Sequence, residues 1–374
     1  MLGLILPLLL IVICGYVIWR AGDTFLEGSN YIGRNLQDGV KGATINAVAS
    51  SMPELFIALF FLFFLKDLTG FSGGLGTSFG SVLFNSLIIP STAVLGVLSK
   101  SKKNAVVVSR KIIVRDGLWL LLVEFVLIYF IQQGVISWVE SLVLIILYGL
   151  YVLYLFKTMK GGHDINYEEP FSDKDKVSFL SAFIILDLKR MIIGNQKLNT
   201  RTAWVVFVVS SLIIGFVCYF LVLACEWLGS ETYSVYGFGE LQGLGIPLLF
   251  VAIVFAAIGS SFPDTIISYK DAQKGNYDDA ISNAYGSNIF NLCVALGVPL
   301  FFFTFLYGPI ELTQEIVSLI TSLSLWFFGL TAFSIFLYTR LGGVTRSQAL
   351  ILIASYVTFI LFIFWKAYNV SGGF

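Results

Sequence analysis

The sequence predicts an all-α integral membrane protein of ten transmembrane helices, arranged as two inverted five-helix repeats. Three observations carry that prediction. The 374 residues are 57% apolar and 12% charged, with a mean hydropathy of +0.88, too apolar for soluble domains of that length. Ten apolar runs can be read at 3–19, 40–65, 73–98, 114–132, 138–156, 203–227, 243–269, 277–306, 315–338 and 347–367, matching the roughly 17 to 25 helical residues that span a bilayer. If the amino terminus is outside, 21 of the 23 Lys and Arg residues fall in cytoplasmic loops and only Lys66 and Lys366 outside. Miscounting one span would scramble that asymmetry. Both termini are therefore expected outside, in a plasma or bacterial inner membrane.

Each run has its own justification. No Lys or Arg precedes Arg20, so the first run lacks the basic leader of a secretory signal and is kept as a span. The second and seventh runs carry near-copies of one phrase: Ala47-Val48-Ala49-Ser50-Ser51-Met52-Pro53-Glu54 and Ala257-Ile258-Gly259-Ser260-Ser261-Phe262-Pro263-Asp264. The third and eighth carry another pair, Gly80-Ser81-Val82-Leu83-Phe84-Asn85 and Gly286-Ser287-Asn288-Ile289-Phe290-Asn291. The fourth holds Glu124, an acid without a counterpart, read as pairing with a neighbouring helix or facing water. The remaining runs hold apolar bulk, and the 35 Phe of the chain read as lipid-facing bulk.

The polar stretch 157–201 divides the spans five and five. Because five is odd, homologous halves must insert in opposite directions. The expected organisation is a first repeat at 1–156, a connector at 157–201 and a second repeat at 202–374, with motif regions at 39–98 and 250–306. Within the connector, Lys176 to Ile193 mixes apolar and charged residues and reads either as an amphipathic helix on the membrane surface or as a docking linker.

Cys14, Cys218, Cys225 and Cys293 lie in or beside apolar runs without paired spacing and read as small buried hydrophobes. The only histidine, His163, falls in a loop, which excludes a His-built metal site or proton relay. Exterior loops carry acids such as Glu140, Glu231, Glu240, Glu311 and Glu315, most simply as solvating charge.

Duplicated carboxylates in hydrocarbon point to a cation site, since an ionisable group near the midplane costs about 2.5 kcal/mol or more. Ser50 and Glu54, Ser260 and Asp264, Ser81 and Asn85, and Ser287 and Asn291 are each four apart, so each pair shares one helix face. Pro53 and Pro263 each free a carbonyl about four residues upstream, and such carbonyls are cation ligands in broken membrane helices. The donors are all oxygen, which suits a hard cation such as Ca2+ or Na+. Asn288, replaced by Val82 in the other half, reads as packing.

At these residues the chain resembles the sodium/calcium exchangers of the cation/Ca2+ antiporter superfamily, whose two alpha repeats carry Ser-Ser-x-Pro-acid followed by Gly-Ser-x-x-Phe-Asn. The resemblance implies Na+/Ca2+ exchange by alternating access, with the first and sixth spans sliding against a core of the others. It implies Glu54 and Asp264 as shared ligands, with Ser50 and Ser260 at the central site. The carbonyls of Ala47 and Ala257 and the hydroxyls of Ser51, Ser81, Ser261 and Ser287 would complete flanking Na+ sites, and Asn85 and Asn291 would line the chamber. Departures are Asn46, Ala49 in place of a glycine, and Asp264 in place of the Glu of prokaryotic relatives. Similar K+-dependent exchangers have Asp at the position of Asn291, so the amide implies K+-independent, electrogenic exchange.

No cofactor is expected beyond the transported Na+ and Ca2+, no nucleic acid is implied, and a monomer is expected to suffice, with an oligomer left open. A Ca2+/H+ exchanger of the same fold is the main alternative, although its Gly-Asn before the acid is absent. A passive channel fits duplicated broken helices less well. An intramembrane protease would need a base beside its nucleophile, which these motifs lack, so an enzyme is not expected.

Overall fold

Backbone polar groups cannot be left open in hydrocarbon, so a chain this apolar closes them locally in helices. The computed structural model describes residues 2–34, 47–100, 104–158, 178–273, 277–340 and 342–370. In chain order it gives α1 (Leu2–Ile32), the single turn α2 (Ala47–Ser50), α3 (Met52–Leu65), α4 (Asp67–Lys100), α5 (Arg110–Gln132) and α6 (Trp138–Thr158). Two short helices, α7 (Phe179–Ile184) and α8 (Leu188–Ile193), precede α9 (Thr200–Gly229). Then come α10 (Leu248 to Gln273), α11 (Tyr277 to Tyr307), α12 (Gln314–Tyr338) and α13 (Arg346–Val370).

Seven of these helices are long and apolar enough to cross a membrane: α1, Leu68–Lys100 of α4, α6, α9, Asn283–Tyr307 of α11, α12 and α13. The described parts of the other three apolar runs lie largely on helix. Met52–Leu65 and Leu248–Phe262 are shorter apolar helices, and α5 carries Arg110, Lys111, Arg115, Asp116 and Glu124 along its 23 residues. Outward faces are apolar, with Val12, Leu212 and Leu325 each about two-thirds or more exposed, a surface suited to lipid.

Short strands tie distant loops together. Strand β1 (Ala105–Val106) pairs antiparallel with β6 (Val344–Thr345), and β2 (Val135–Ile136) pairs with β5 (Ile310–Glu311). Strands β3 (Thr232–Val235) and β4 (Gly239–Gln242) form a hairpin, anchored where Tyr233 donates to the Gly3 carbonyl at 2.5 Å.

Helices α1 and α9 pack along most of their lengths, with Phe25 stacked on Phe207 at 4.5 Å. Reciprocal capping starts α9: Asn199 accepts from the Thr202 N–H at 2.9 Å, and its own N–H reaches the Thr202 hydroxyl at 2.8 Å. This pair flanks both motif helices, α1 lying on α10 and α9 on α3. Behind them α4 lies directly on α10 at Gly80, where a Cβ would sit 2.1 Å from the Ile253 carbonyl oxygen. Only glycine permits that approach.

Two expectations need correction. The connector does not form one amphipathic helix over its described residues: Leu186 has φ +50° and Asp187 caps α8, accepting from the Arg190 N–H at 3.1 Å. A capping Asp starts a new helix rather than continuing the old one. Lys189 of α8 pairs with Glu27 at 2.7 Å, and Arg20 donates to the Leu186 carbonyl at 3.1 Å, fastening this segment to α1. The proline-linked interruption is also unequal. Ser51 leaves the helix between α2 and α3, but Ala257–Gln273 runs unbroken through Pro263, with a wide π turn upstream at Ala252–Ala256. Asn46, His163, Lys176 and Val177 lie outside the described residues.

Candidate functional site

Pro53 falls in the first turn of α3, where a missing N–H leaves no helical bond unmade. Glu54 therefore sits at the amino-terminal end of a half-helix, whose unpaired N–H groups favour negative charge. Asp264 comes from the second motif helix, and both carboxylates are almost wholly buried.

The hydroxyls of one half bond the groups of the other. Ser50 Oγ lies 2.9 Å from Ser287 Oγ, and Ser260 Oγ lies 3.4 Å from Ser81 Oγ. These are the same contact made twice, since Ser50 corresponds to Ser260 and Ser81 to Ser287 in the repeated phrases. Glu54 Oε1 accepts from Ser261 at 2.9 Å and from Ser81 at 3.3 Å. The matching bonds for Asp264, to Ser51 and Ser287, are missing. Asp264, one methylene shorter than Glu54, faces the Ser50 hydroxyl instead, and Ser51 Oγ has no hydrogen-bond partner.

Orphaned polar atoms continue along the same faces. One turn beyond Ser81 and Ser287, Asn85 and Asn291 are fully buried, with both amide atoms of each unpartnered; Glu54 Oε2 is unpartnered as well. Buried polar groups are otherwise almost always satisfied, so these unsatisfied oxygens together with the two carboxylates form the candidate cation site. Among the described residues no three His, Cys, Asp or Glu side chains gather as a metal cluster. The candidate donors are two carboxylates with hydroxyl and amide oxygens, an all-oxygen set of the kind hard cations take.

Every residue singled out from the sequence within the described segments can be located. Ser50, Ser51, Glu54, Ser81, Asn85, Ser260, Ser261, Asp264, Ser287 and Asn291 are buried, and all but Ser51, Asn85 and Asn291 are joined by the contacts above. Ala47 opens α2, and the Ala257 carbonyl accepts from Ser260 Oγ at 3.1 Å. Asn288 bridges the halves instead, donating to the Val82 carbonyl at 3.1 Å and to Ser86 Oγ at 2.8 Å, a packing role. Glu124 accepts from Thr331 at 2.8 Å and makes none of the bonds above. One neighbour of the site escaped sequence reasoning: the Cys218 thiol on α9 donates to the Pro53 carbonyl at 3.6 Å. A lone thiol in an apolar run carries no signal of that role. The asparagines also sit in wide π turns, Phe84–Ile88 and Asn291–Ala295, a feature common at functional sites.

The family model described as sodium/calcium exchanger protein matches residues 6–157 and 202–365. Sodium/potassium/calcium exchanger 3 of Rattus norvegicus is 36% identical over 119 residues, 32% of this chain and 18% of that protein, so the match spans less than a fifth of the relative's length. An uncharacterized membrane protein of Methanocaldococcus jannaschii is 26% identical over 344 residues, 91% of this chain and 92% of that one. Human sodium/potassium/calcium exchanger 5 is 25% identical over 349 residues, 76% of this chain and 68% of that protein. Among solved structures, YfkE aligns with a TM-score of 0.62 at 15% identity over 97% of this chain and 93% of its own. The H+/Ca2+ exchanger CAX aligns with a TM-score of 0.58 at 17% identity, over 98% and 88%. The sodium-calcium exchanger NCX_Mj, soaked with Na+ and Sr2+, aligns with a TM-score of 0.55 at 18% identity, over 96% and 98%. At such identities the likeness is one of fold.

Proposed function

Because the chain belongs to the sodium/calcium exchanger protein family, we propose that it is a secondary active antiporter exchanging Na+ for Ca2+ by alternating access, K+-independent and electrogenic. The observation that carries this reading is the ring of buried, unpartnered oxygens that both halves contribute around Glu54 and Asp264. One Ca2+ balances the two carboxylates, and three Na+ overshoot them by about one charge, so each cycle moves net charge. Asn291 supplies an oxygen without adding charge, leaving K+ nothing further to neutralise.

The architecture behind this is ten spans in inverted halves, 1–156 and 202–374, joined by the connector 157–201. Strand pairing supports it. The β1–β6 pair joins the loop after the third span to the loop after the ninth, and β2–β5 joins the loop after the fourth to that after the eighth. Each pair is separated by an even number of spans, so each lies on one membrane face. A two-fold axis in the membrane plane exchanges the two pairs. The same axis exchanges α1 on α10 with α9 on α3, which suits α1 and α9 as the helices that slide while the strand pairs hold the rest. Loop charge supports both termini outside, in a plasma or bacterial inner membrane. Each chain carries a complete site, so a monomer suffices.

A second reading is Ca2+/H+ exchange, favoured by the fold likeness to CAX. Purified protein in liposomes, given Ca2+ under an imposed Na+, K+ or pH gradient, separates the two. Uptake driven by the Na+ gradient alone supports Na+ exchange; uptake driven only by the pH gradient overturns it.

A further inference from the structure

We propose that Glu124 forms a second cation site, a buried carboxyl between α5 and α12 that binds a single proton. The side chain is fully buried in α5. Oε1 accepts from the Thr331 hydroxyl of α12 at 2.8 Å, and Oε2 is buried without a partner. Thr331 and its neighbours are neutral: Ser334 donates to the Thr331 carbonyl at 2.8 Å and meets the Tyr285 hydroxyl of α11 at 3.0 Å. Tyr285 is the titratable group of α11 that lies within electrostatic range of Glu124. On α5 itself the nearest cation, Arg115, is bound to Asp116 at 2.6 and 2.9 Å, and Tyr151 of α6 donates to the same Asp116 at 3.2 Å. Among the described residues no salt bridge reaches Glu124.

A carboxylate inside hydrocarbon with a single hydroxyl donor is far from compensated, so it must take up a positive charge. The geometry selects which one. A metal ion demands several oxygens around it, whereas a proton needs one, and Oε2 is the one left open.

Position gives this site a relation to the ion chamber. Glu124 and Thr331 are 207 residues apart, close to the 206 that separates Ser81 from Ser287, so α5 and α12 meet at nearly corresponding places in the two halves. Helix α11 is the wall between: Tyr285 faces the Glu124 side, and Ser287, two residues and about 200° further round, faces the chamber. The inference does not depend on which cations the chamber exchanges.

Infrared difference spectra of the full chain in liposomes test it, comparing the parent with Glu124→Gln. The parent should show the carbonyl stretch of a protonated carboxyl, shifted in D2O and absent from the variant. Raising the pH should convert it reversibly to carboxylate bands, a readout on the parent alone that stands even if the variant fails to fold. Thr331→Val, which deletes the bond to Oε1, should move the band to higher frequency. Carboxylate bands lost in Glu124→Gln near neutral pH would overturn the proposal, as would a parent carboxyl band that neither pH nor Thr331→Val alters.

Discussion

Replacing Gly80 with alanine should pry α4 from α10 and loosen the site between them. The new Cβ would lie 2.1 Å from the Ile253 carbonyl oxygen and 2.5 Å from the Ala257 Cβ, whereas ordinary contact begins at 3.4 Å. The helices must therefore part by roughly 1 Å, because interiors packed to crystal density have no slack to absorb it. The next residue, Ser81, holds Glu54 at 3.3 Å and Ser260 at 3.4 Å, already at the long end for hydrogen bonds, and neither bond survives that shift. Overpacking costs about 1 to 3 kcal/mol, and two buried hydroxyl bonds about 0.5 to 1.5 kcal/mol each, together about 2 to 6 kcal/mol. Thermal unfolding in detergent should fall by several degrees, and Ca2+ binding measured by calorimetry should weaken by about tenfold or more, since about 1.4 kcal/mol is tenfold. Gly149→Ala is the control, because nothing lies within 4 Å of its Cβ. A Gly80→Ala protein that melts and binds Ca2+ like the parent would refute the reasoning.

Glu54→Gln and Asp264→Asn should each weaken Ca2+ binding by roughly a thousandfold or more, because one unit charge near a cation is worth about 4 kcal/mol at an effective dielectric of about 20; near-parent calorimetry for either would remove that residue from the site. Asp264→Glu should instead keep Ca2+ binding within about tenfold of the parent, since the added methylene lets the second half reach Ser51 as Glu54 reaches Ser261; transport lost as fully as in Asp264→Asn would contradict this. Asn291→Asp adds a third buried carboxylate that must be met by a proton or another monovalent cation, so Ca2+ uptake should become sensitive to pH or K+; a parent that already requires K+ would invalidate the argument from the amide. A cysteine placed at Ser234 should react with impermeant reagent only from outside and one placed at His163 only from the cytoplasm; reaction of both from one face would overturn the inverted topology.

Much of the site was legible because it is written twice. The duplicated Ser-Ser-x-Pro-acid phrases single out Glu54 and Asp264 against a background in which any lone serine would mean little, and helical spacing puts Ser81 with Asn85 and Ser287 with Asn291 on shared faces. How the halves engage was not legible. That Ser50 meets Ser287 while Ser260 meets Ser81 is a tertiary fact. So is the asymmetry of the acids, with Glu54 held by Ser261 and Ser81 while Asp264 faces Ser50 and Ser51 is left unpartnered. The π turns at Phe84–Ile88 and Asn291–Ala295 have no residue signature, because an i→i+5 bond is chosen by packing rather than by side-chain type. The helix through Pro263 shows the same limit: neighbouring helices can accommodate a freed carbonyl without a break. The strands that join distant loops, pairing Ala105 with Thr345 and Val135 with Glu311, are two residues long, too short for any alternation to announce them.

The central claim is that both carboxylates belong to one site that Ca2+ and Na+ take in turn. The direct measurement is equilibrium binding of radioactive Ca2+ to purified protein, titrated with Na+ and repeated with Glu54→Gln and Asp264→Asn. The account predicts one Ca2+ per chain, displaced competitively and cooperatively by Na+, with binding lost in both variants. Ca2+ that stays bound at saturating Na+, or that survives loss of either carboxylate, would contradict it.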